Sequence, residues 1–189
     1  MLVAVSPGVR AEQARRTRAA IQEIALTLFA DRGYDATSLQ DIADELGLTK
    51  AAVYYHFPSK LELLQSICEP VYERVTAIIA ETAAHSTRPA RIDAFSDGFA
   101  ELTVSRRATI CVLAADPVMH GRMKAASRMD DLLDQATRVI YGDSPTPDQV
   151  FAVRAVAVMS DTISALPALD DDEARALLSR AMRRLLPRR

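Results

Sequence analysis

The sequence contains no tryptophan, and its aromatic content is only 5%. Alanine and leucine, both strong helix formers, abound instead, so the class expected is all-α. Cysteine is nearly absent: Cys68 and Cys111 make no disulfide framework and suit a reducing cytoplasm. The three histidines are scattered, without paired cysteines or close carboxylates, which argues against a metal site. No glycine-rich phosphate loop occurs and no serine sits in a nucleophile turn, so catalysis and a bound cofactor have no support. No apolar run is long enough to span a bilayer; the best, VFAVRAVAVM, is broken by Arg154. The opening MLVAVSPGVR is interrupted by proline and glycine and does not read as a signal peptide.

A surplus of positive charge is missing too. The net charge is −2 with a pI near 5.9, which taken alone argues against a nucleic-acid partner. Residues 1–60 balance, with seven basic and seven acidic side chains. The positive charge is local: Arg10, Arg15, Arg16 and Arg18 face a single Glu12. Such a cluster is either an arm lying along phosphates or a solvated terminal tail.

What the chain does have is the stretch SLQDIADELGLTKAAVYYHF, Ser38 to Phe57. Ser38 (or Thr37) is a good helix cap, and Asp41 suits the positive helix start. Leu39, Ile42, Ala43 and Leu46 fall on one face. Gly47 ends that helix by tolerating the left-handed conformation. Thr49 caps a second helix, whose inner edge is Val53 and Phe57. Lys50, Ala51, Ala52, Tyr54, Tyr55 and His56 form its outer arc. Two small residues let a backbone approach a major groove about 12 Å wide, Lys50 reaches guanine or phosphate, and two consecutive tyrosines suit phosphate and base contacts. The same two-helix pattern also serves as plain core in many all-α proteins.

The flanks separate these readings. Ile21, Ala25, Phe29, the Gly33-Tyr34 corner, Thr37-Ser38, Ile42-Ala43, Gly47-Leu48-Thr49, Val53 to Phe57 and Ser59 to Leu64 together resemble the DNA-binding domain of the tetracycline-repressor (TetR) family. The segment YYHFPSKLELL carries most of that specificity. The resemblance covers about the first third of the chain. It implies Gln40, Lys50, Ala52 and Tyr54 nearest the bases, and Thr37, Ser38, Tyr55, His56 and Lys60 nearest the phosphates. Thr49 and Ala51 complete the expected DNA-facing set. The domains expected are a helix-turn-helix head over residues 12–64 and a helical dimerisation and effector-binding bundle over 65–189, with about nine helices in all.

Beyond the head, the fourth helix is expected to start after Pro58 with Ser59 and Glu62 as a capping box. It runs to about Ala84, with Pro70 as a kink, and HSTRPAR follows as linker. The two last helices carry a second clue. Residues 149–166 are apolar nearly all round, and Ala174, Leu177, Leu178, Ala181, Met182 and Leu185 make one stripe of the final helix. These six are the expected dimer interface, in which two such helices meet those of a second copy; an internal core pair is the alternative. A palindrome-reading head needs a two-fold partner. The family resemblance also implies a pocket for a small effector. Phe95, Phe99, Leu102, Leu113, Met119, Met123, Met129 and Phe151 are candidates to line it, although such residues at helical spacing more often form plain core. Arg154, one cation in an apolar helix, either meets an anionic effector, pairs with Asp161 or serves the interface.

The function expected is a cytoplasmic transcriptional regulator, a repressor that binds double-stranded DNA as a homodimer and is released by a small molecule. Its rival is an α-helical enzyme or adaptor carrying a non-functional head.

Overall fold

The computed structural model describes residues 7–115, 128–162 and 169–188, and every regular element among them is an α-helix. We number these α1 (Pro7–Arg32), α2 (Leu39–Glu45), α3 (Lys50–His56), α4 (Lys60–Ala83), α5 (Arg88–Ser105), α6 (Arg107–Ala115), α7 (Met129–Tyr141), α8 (Pro147–Asp161) and α9 (Asp171–Leu185). No described helix is long and apolar enough to cross a membrane. The described chain divides into two compact units, and the division falls at Ile67/Cys68, inside α4.

The first unit is a three-helix head closed by the first turns of α4. α1 begins at Pro7, five residues before Glu12, because proline is pre-organised for the first helical position. Arg10, Arg15, Arg16 and Arg18 therefore stand on a helix and not on an arm. Ile21, Ala25, Leu28 and Phe29 point into the head with Leu39, Ile42, Ala43, Val53, Phe57, Leu63 and Leu64, all buried. Phe29 packs on Tyr34, ring centroids 5.1 Å apart, and Gly33 (φ 85°) supplies the left-handed turn after α1.

In the second unit, the remainder of α4 runs through Pro70 without ending. α5 starts at Arg88, inside the HSTRPAR segment expected to be linker, because Thr87 caps it through the Ala90 amide and Pro89 fits its first turn. α9 packs chiefly on α5, and α7 and α8 pack on each other. α8 opens on a Thr146–Gln149 capping box, and α9 on an Asp170–Glu173 one. Phe95, Phe99, Leu102, Leu133, Ile140, Val153, Val156, Ala174, Leu178 and Met182 share one core. Where α4 and α5 touch, Gly98 makes room: a methyl there would lie 2.9 Å from Cγ1 and Cγ2 of Ile78.

Candidate nucleic-acid interface

The turn between α2 and α3 is built by local chemistry. The Ser38 hydroxyl accepts the Asp41 amide N–H at 3.1 Å, and the Asp41 carboxylate accepts the Ser38 N–H at 2.7 Å and its O–H at 2.6 Å. These bonds from Ser38, the side-chain one foremost, hold the Asp41 carboxyl below the usual aspartate range. α2 ends with the Leu48 amide donating to the Ala43 carbonyl at 2.8 Å and the Gly47 amide to Asp44 at 3.1 Å. With Gly47 at φ 63° this is a Schellman ending. Thr49 then caps α3, its hydroxyl accepting the Ala52 amide at 3.2 Å.

α3 turns Val53 inward and leaves an outer arc open. Lys50 and Ala51 are exposed, Ala52 and His56 half-buried, and Tyr54 and Tyr55 are 43% and 82% exposed. A tyrosine ring left four-fifths in water is uncommon unless something covers it. Lys50 Nζ lies 5.5 Å from the Tyr54 ring, and the Tyr55 and His56 rings meet edge-on at 5.3 Å. The Gln40 amide donates to Asp44 at 2.6 Å, which fixes its orientation on the half-buried edge of α2.

Other basic residues of the head are held by acceptors of the head itself. Arg18 donates to the His56 carbonyl at 2.8 Å, with its guanidinium 4.0 Å from the Phe57 ring centroid. It therefore closes the negative end of α3. Arg15 and Arg16 both hold Glu12, at 2.6 and 3.0 Å, and keep its carboxyl low. Thr37, expected at a phosphate, is buried, and its hydroxyl donates to the carbonyls of Gly33 at 2.9 Å and Leu28 at 3.3 Å. Lys60, also expected at a phosphate, donates instead to the carbonyls of Tyr34 at 2.6 Å and Thr37 at 2.7 Å. Both revisions have one cause: the corner after α1 presents the carbonyls of Gly33, Tyr34 and Thr37 outside the helices, and the Thr37 hydroxyl and the Lys60 ammonium donate to them.

In the second unit the six-residue stripe of α9 splits. Ala174, Leu178 and Met182 are at most 2% exposed and belong to the unit's own core, so they form no open face. Leu177 and Leu185 are exposed, with Ala181 half-buried between them. On α8, Phe151 and Val158, two turns apart, are 73% and 65% exposed. An all-apolar helix gives no periodicity from which to tell its covered side, so this open edge is not readable in the sequence.

The effector candidates are not gathered into one place. Phe95, Phe99 and Leu102 are in the core, with the two rings 4.7 Å apart, and Met129 packs against it. Phe151 faces outward, which removes it from an internal lining. Met119, Met123 and the Leu113 side chain lie outside the described residues. Arg154 pairs with Asp130 at 2.5 Å and Asp134 at 2.8 Å on α7; the side chain of Asp161, its expected partner, lies outside the described residues. These carboxylates, Asp130 first, raise its already high pKa. Among the described residues no group of His, Cys, Asp and Glu is arranged to hold a metal.

The described geometry of the head defines a class: a helix-turn-helix domain whose second helix offers a small, hydroxyl-bearing face. Residues 21–67 match the family described as "Bacterial regulatory proteins, tetR family", and the head is a tetR-family DNA-binding domain. It is 44% identical over 62 residues to the HTH-type transcriptional regulator TtgR of Pseudomonas putida, covering 33% of this chain and 30% of that protein. It is also 40% identical over 55 residues to the biofilm operon negative regulator IcaR of Staphylococcus aureus, covering 29% and 30%. The matched stretch thus spans under a third of these relatives. Over most of the chain the fold is similar to that of solved regulators. The TetR family regulator PfmR of Thermus thermophilus aligns with TM-score 0.68 and 25% identity, over 89% of this chain and 95% of that one. NalD of Pseudomonas aeruginosa aligns with TM-score 0.71 and 21% identity, over 94% and 98%.

Proposed function

We propose that this protein is a transcriptional repressor without enzymatic activity. In this reading it binds a palindromic DNA operator as a homodimer in the cytoplasm and leaves it when a small-molecule effector binds. The observation that carries the reading is the outer arc of α3. Lys50, Ala51, Tyr54 and Tyr55 are exposed on a helix whose inner edge, capped start and preceding turn are all fixed by the head. Lys50, Ala52, Tyr54 and Gln40 are assigned to the bases; Ser38, Thr49, Ala51, Tyr55 and His56 to the backbone and the groove wall. Phe151, Val158, Leu177 and Leu185 are assigned to the contact with a second copy, because exposed apolar side chains on two consecutive helices suit a self-complementary two-fold patch.

Effector release works only if the ligand binds better to a form whose half-site spacing no longer matches the operator. The lever in this reading is α4, which belongs to both units, with Pro70 as its flexible point. The test is selection from random duplexes by the purified protein. Recovery of a palindrome supports the reading and supplies the operator. Recovery of unrelated sequences with no symmetric element sinks it and favours an enzyme or adaptor with an idle head.

A further inference from the structure

Proline inside a helix removes one hydrogen bond, because its nitrogen carries no hydrogen for the carbonyl four residues earlier. In α4 the proline is Pro70, so the carbonyl left without its ordinary helical donor is that of Ser66. The missing bond would span the division between the two units, which falls at Ile67/Cys68. The head supplies a replacement. From α1, the side-chain amide of Gln22 donates to the Ser66 carbonyl at 3.2 Å and to the Ser66 hydroxyl at 3.0 Å. That hydroxyl in turn donates to the Leu63 carbonyl at 2.7 Å. One amide nitrogen, with two N–H donors, thus reaches both acceptors that Ser66 presents. Gln22 and Ser66 are half-buried, and Ile21, Leu63 and Leu64 near them in the two helices are fully buried. A carbonyl left unpaired at the edge of such a core carries a desolvation cost.

We propose that Gln22 is a positioning residue for DNA binding: its amide replaces the hydrogen bond that Pro70 removes, and so holds α4 in one geometry where that helix leaves the head. The inference rests on the DNA-binding reading above and deepens it, by assigning the residue that steadies the flexible point of the lever. A plain contact between α1 and α4 and a stand-in for a helical bond make different demands on the chain. The plain contact has the same worth whatever residue stands at position 70. The stand-in is needed only while that residue lacks an N–H, and alanine there returns the bond to the helix itself.

The test is a double-mutant cycle on the full chain. Gln22→Met keeps the length and helix propensity of the side chain without its donor, and Pro70→Ala restores the backbone N–H. In the first arm the wild type, both single variants and the double variant are unfolded in urea without DNA. Gln22→Met should lower the folding equilibrium constant on the order of tenfold in the wild-type background, and less than about threefold in the Pro70→Ala background. Equal losses in the two backgrounds refute the stand-in, as does no loss in the wild-type background. In the second arm the same four proteins are titrated with the selected operator. Gln22→Met should bind on the order of fivefold more weakly in the wild-type background, and like its parent in the Pro70→Ala background. The loss should be the same on every single-base operator variant and leave the salt slope unchanged, because neither a base contact nor a cation is removed. Wild-type operator affinity in Gln22→Met overturns the positioning role even if the first arm shows the bond. If the wild type selects no operator, the DNA-binding reading has failed, and the urea arm still decides whether Gln22 replaces the missing bond. A Gln22→Met chain that folds only together with Pro70→Ala supports the proposal; one that folds in neither background overturns it.

Discussion

Phe151→Ala should convert a dimer into a monomer while leaving the subunit's stability almost untouched. A phenylalanine side chain presents on the order of 200 Å², and Phe151 is 73% exposed, so roughly 150 Å² of it is available for a partner to cover. At about 25 cal/mol per Å² this amounts to at most about 4 kcal/mol in each protomer. Ordering and desolvation costs take part of that, which leaves about 2 kcal/mol for a well-packed aromatic at an interface. A two-fold contact counts it twice, so the dimer should weaken by about 4 kcal/mol, close to a thousandfold in Kd. The contrasting variant is Leu178→Ala, whose side chain is 2% exposed and lies in the subunit core. It should cost about 2–5 kcal/mol of folding stability and lower the melting midpoint by several degrees. Sedimentation velocity over a dilution series, paired with thermal unfolding of the same samples, reads both effects. A Phe151→Ala variant that dimerises like wild type would refute the assignment of this edge, as would a wild type already monomeric at micromolar concentration.

Gly98→Ala should destabilise the second unit by about 1–3 kcal/mol, since the new methyl meets Ile78 at 2.9 Å; denaturant unfolding would show it, and an unchanged midpoint would mean that α4 and α5 separate freely there. Gln40→Ala should cost about 1–3 kcal/mol on the preferred operator and flatten discrimination at one symmetric position; uniform weakening across single-base operator variants would place Gln40 away from the bases. The Asp41 carboxyl has its pKa lowered in the folded head, so its contribution is present above the unfolded value near 3.9 and disappears as pH falls through the lower folded value. Asp41→Asn should therefore flatten the acid limb of a stability-against-pH curve, and an acid limb identical to wild type would show that the Ser38 contacts do not hold in solution.

The parts of this fold that are readable in the sequence are those set by near neighbours in the chain. Ser38 with Asp41, Gly47 at the end of α2, Thr49 at the start of α3 and the inner residues Ile42, Ala43, Val53 and Phe57 all stand where spacing and capping chemistry place them. Each involves partners within about one helical turn, where geometry is fixed by the backbone itself. The exposed edge of α8 is not readable, because Val and Ala on every side leave no contrast between covered and open faces. Nor is the split of the α9 stripe. Leu177 and Leu178 are adjacent, and whether a position packs on α5 or stays open depends on where a helix some seventy residues earlier in the chain lies.

Charged residues are the hardest to place from sequence, and for a physical reason. Long basic side chains reach across several ångströms to any acceptor that folding brings near, so their partners are distant in sequence: His56 for Arg18, Tyr34 and Thr37 for Lys60, and Asp130 with Asp134 for Arg154. A basic residue in a DNA-binding pattern is naturally assigned to a phosphate, yet two short helices of seven residues each are marginal on their own. They keep their places only if their ends are satisfied. In this head Arg18 closes the end of α3 and Lys60 closes the corner before α2, while Lys50 alone of the three stands on the outer arc. The near-neutral balance of residues 1–60 is then consistent with a DNA-binding head, because part of its positive charge serves geometry. On that account base recognition depends on how rigidly the small and hydroxyl-bearing residues of α3 are presented, more than on the number of cations beside them.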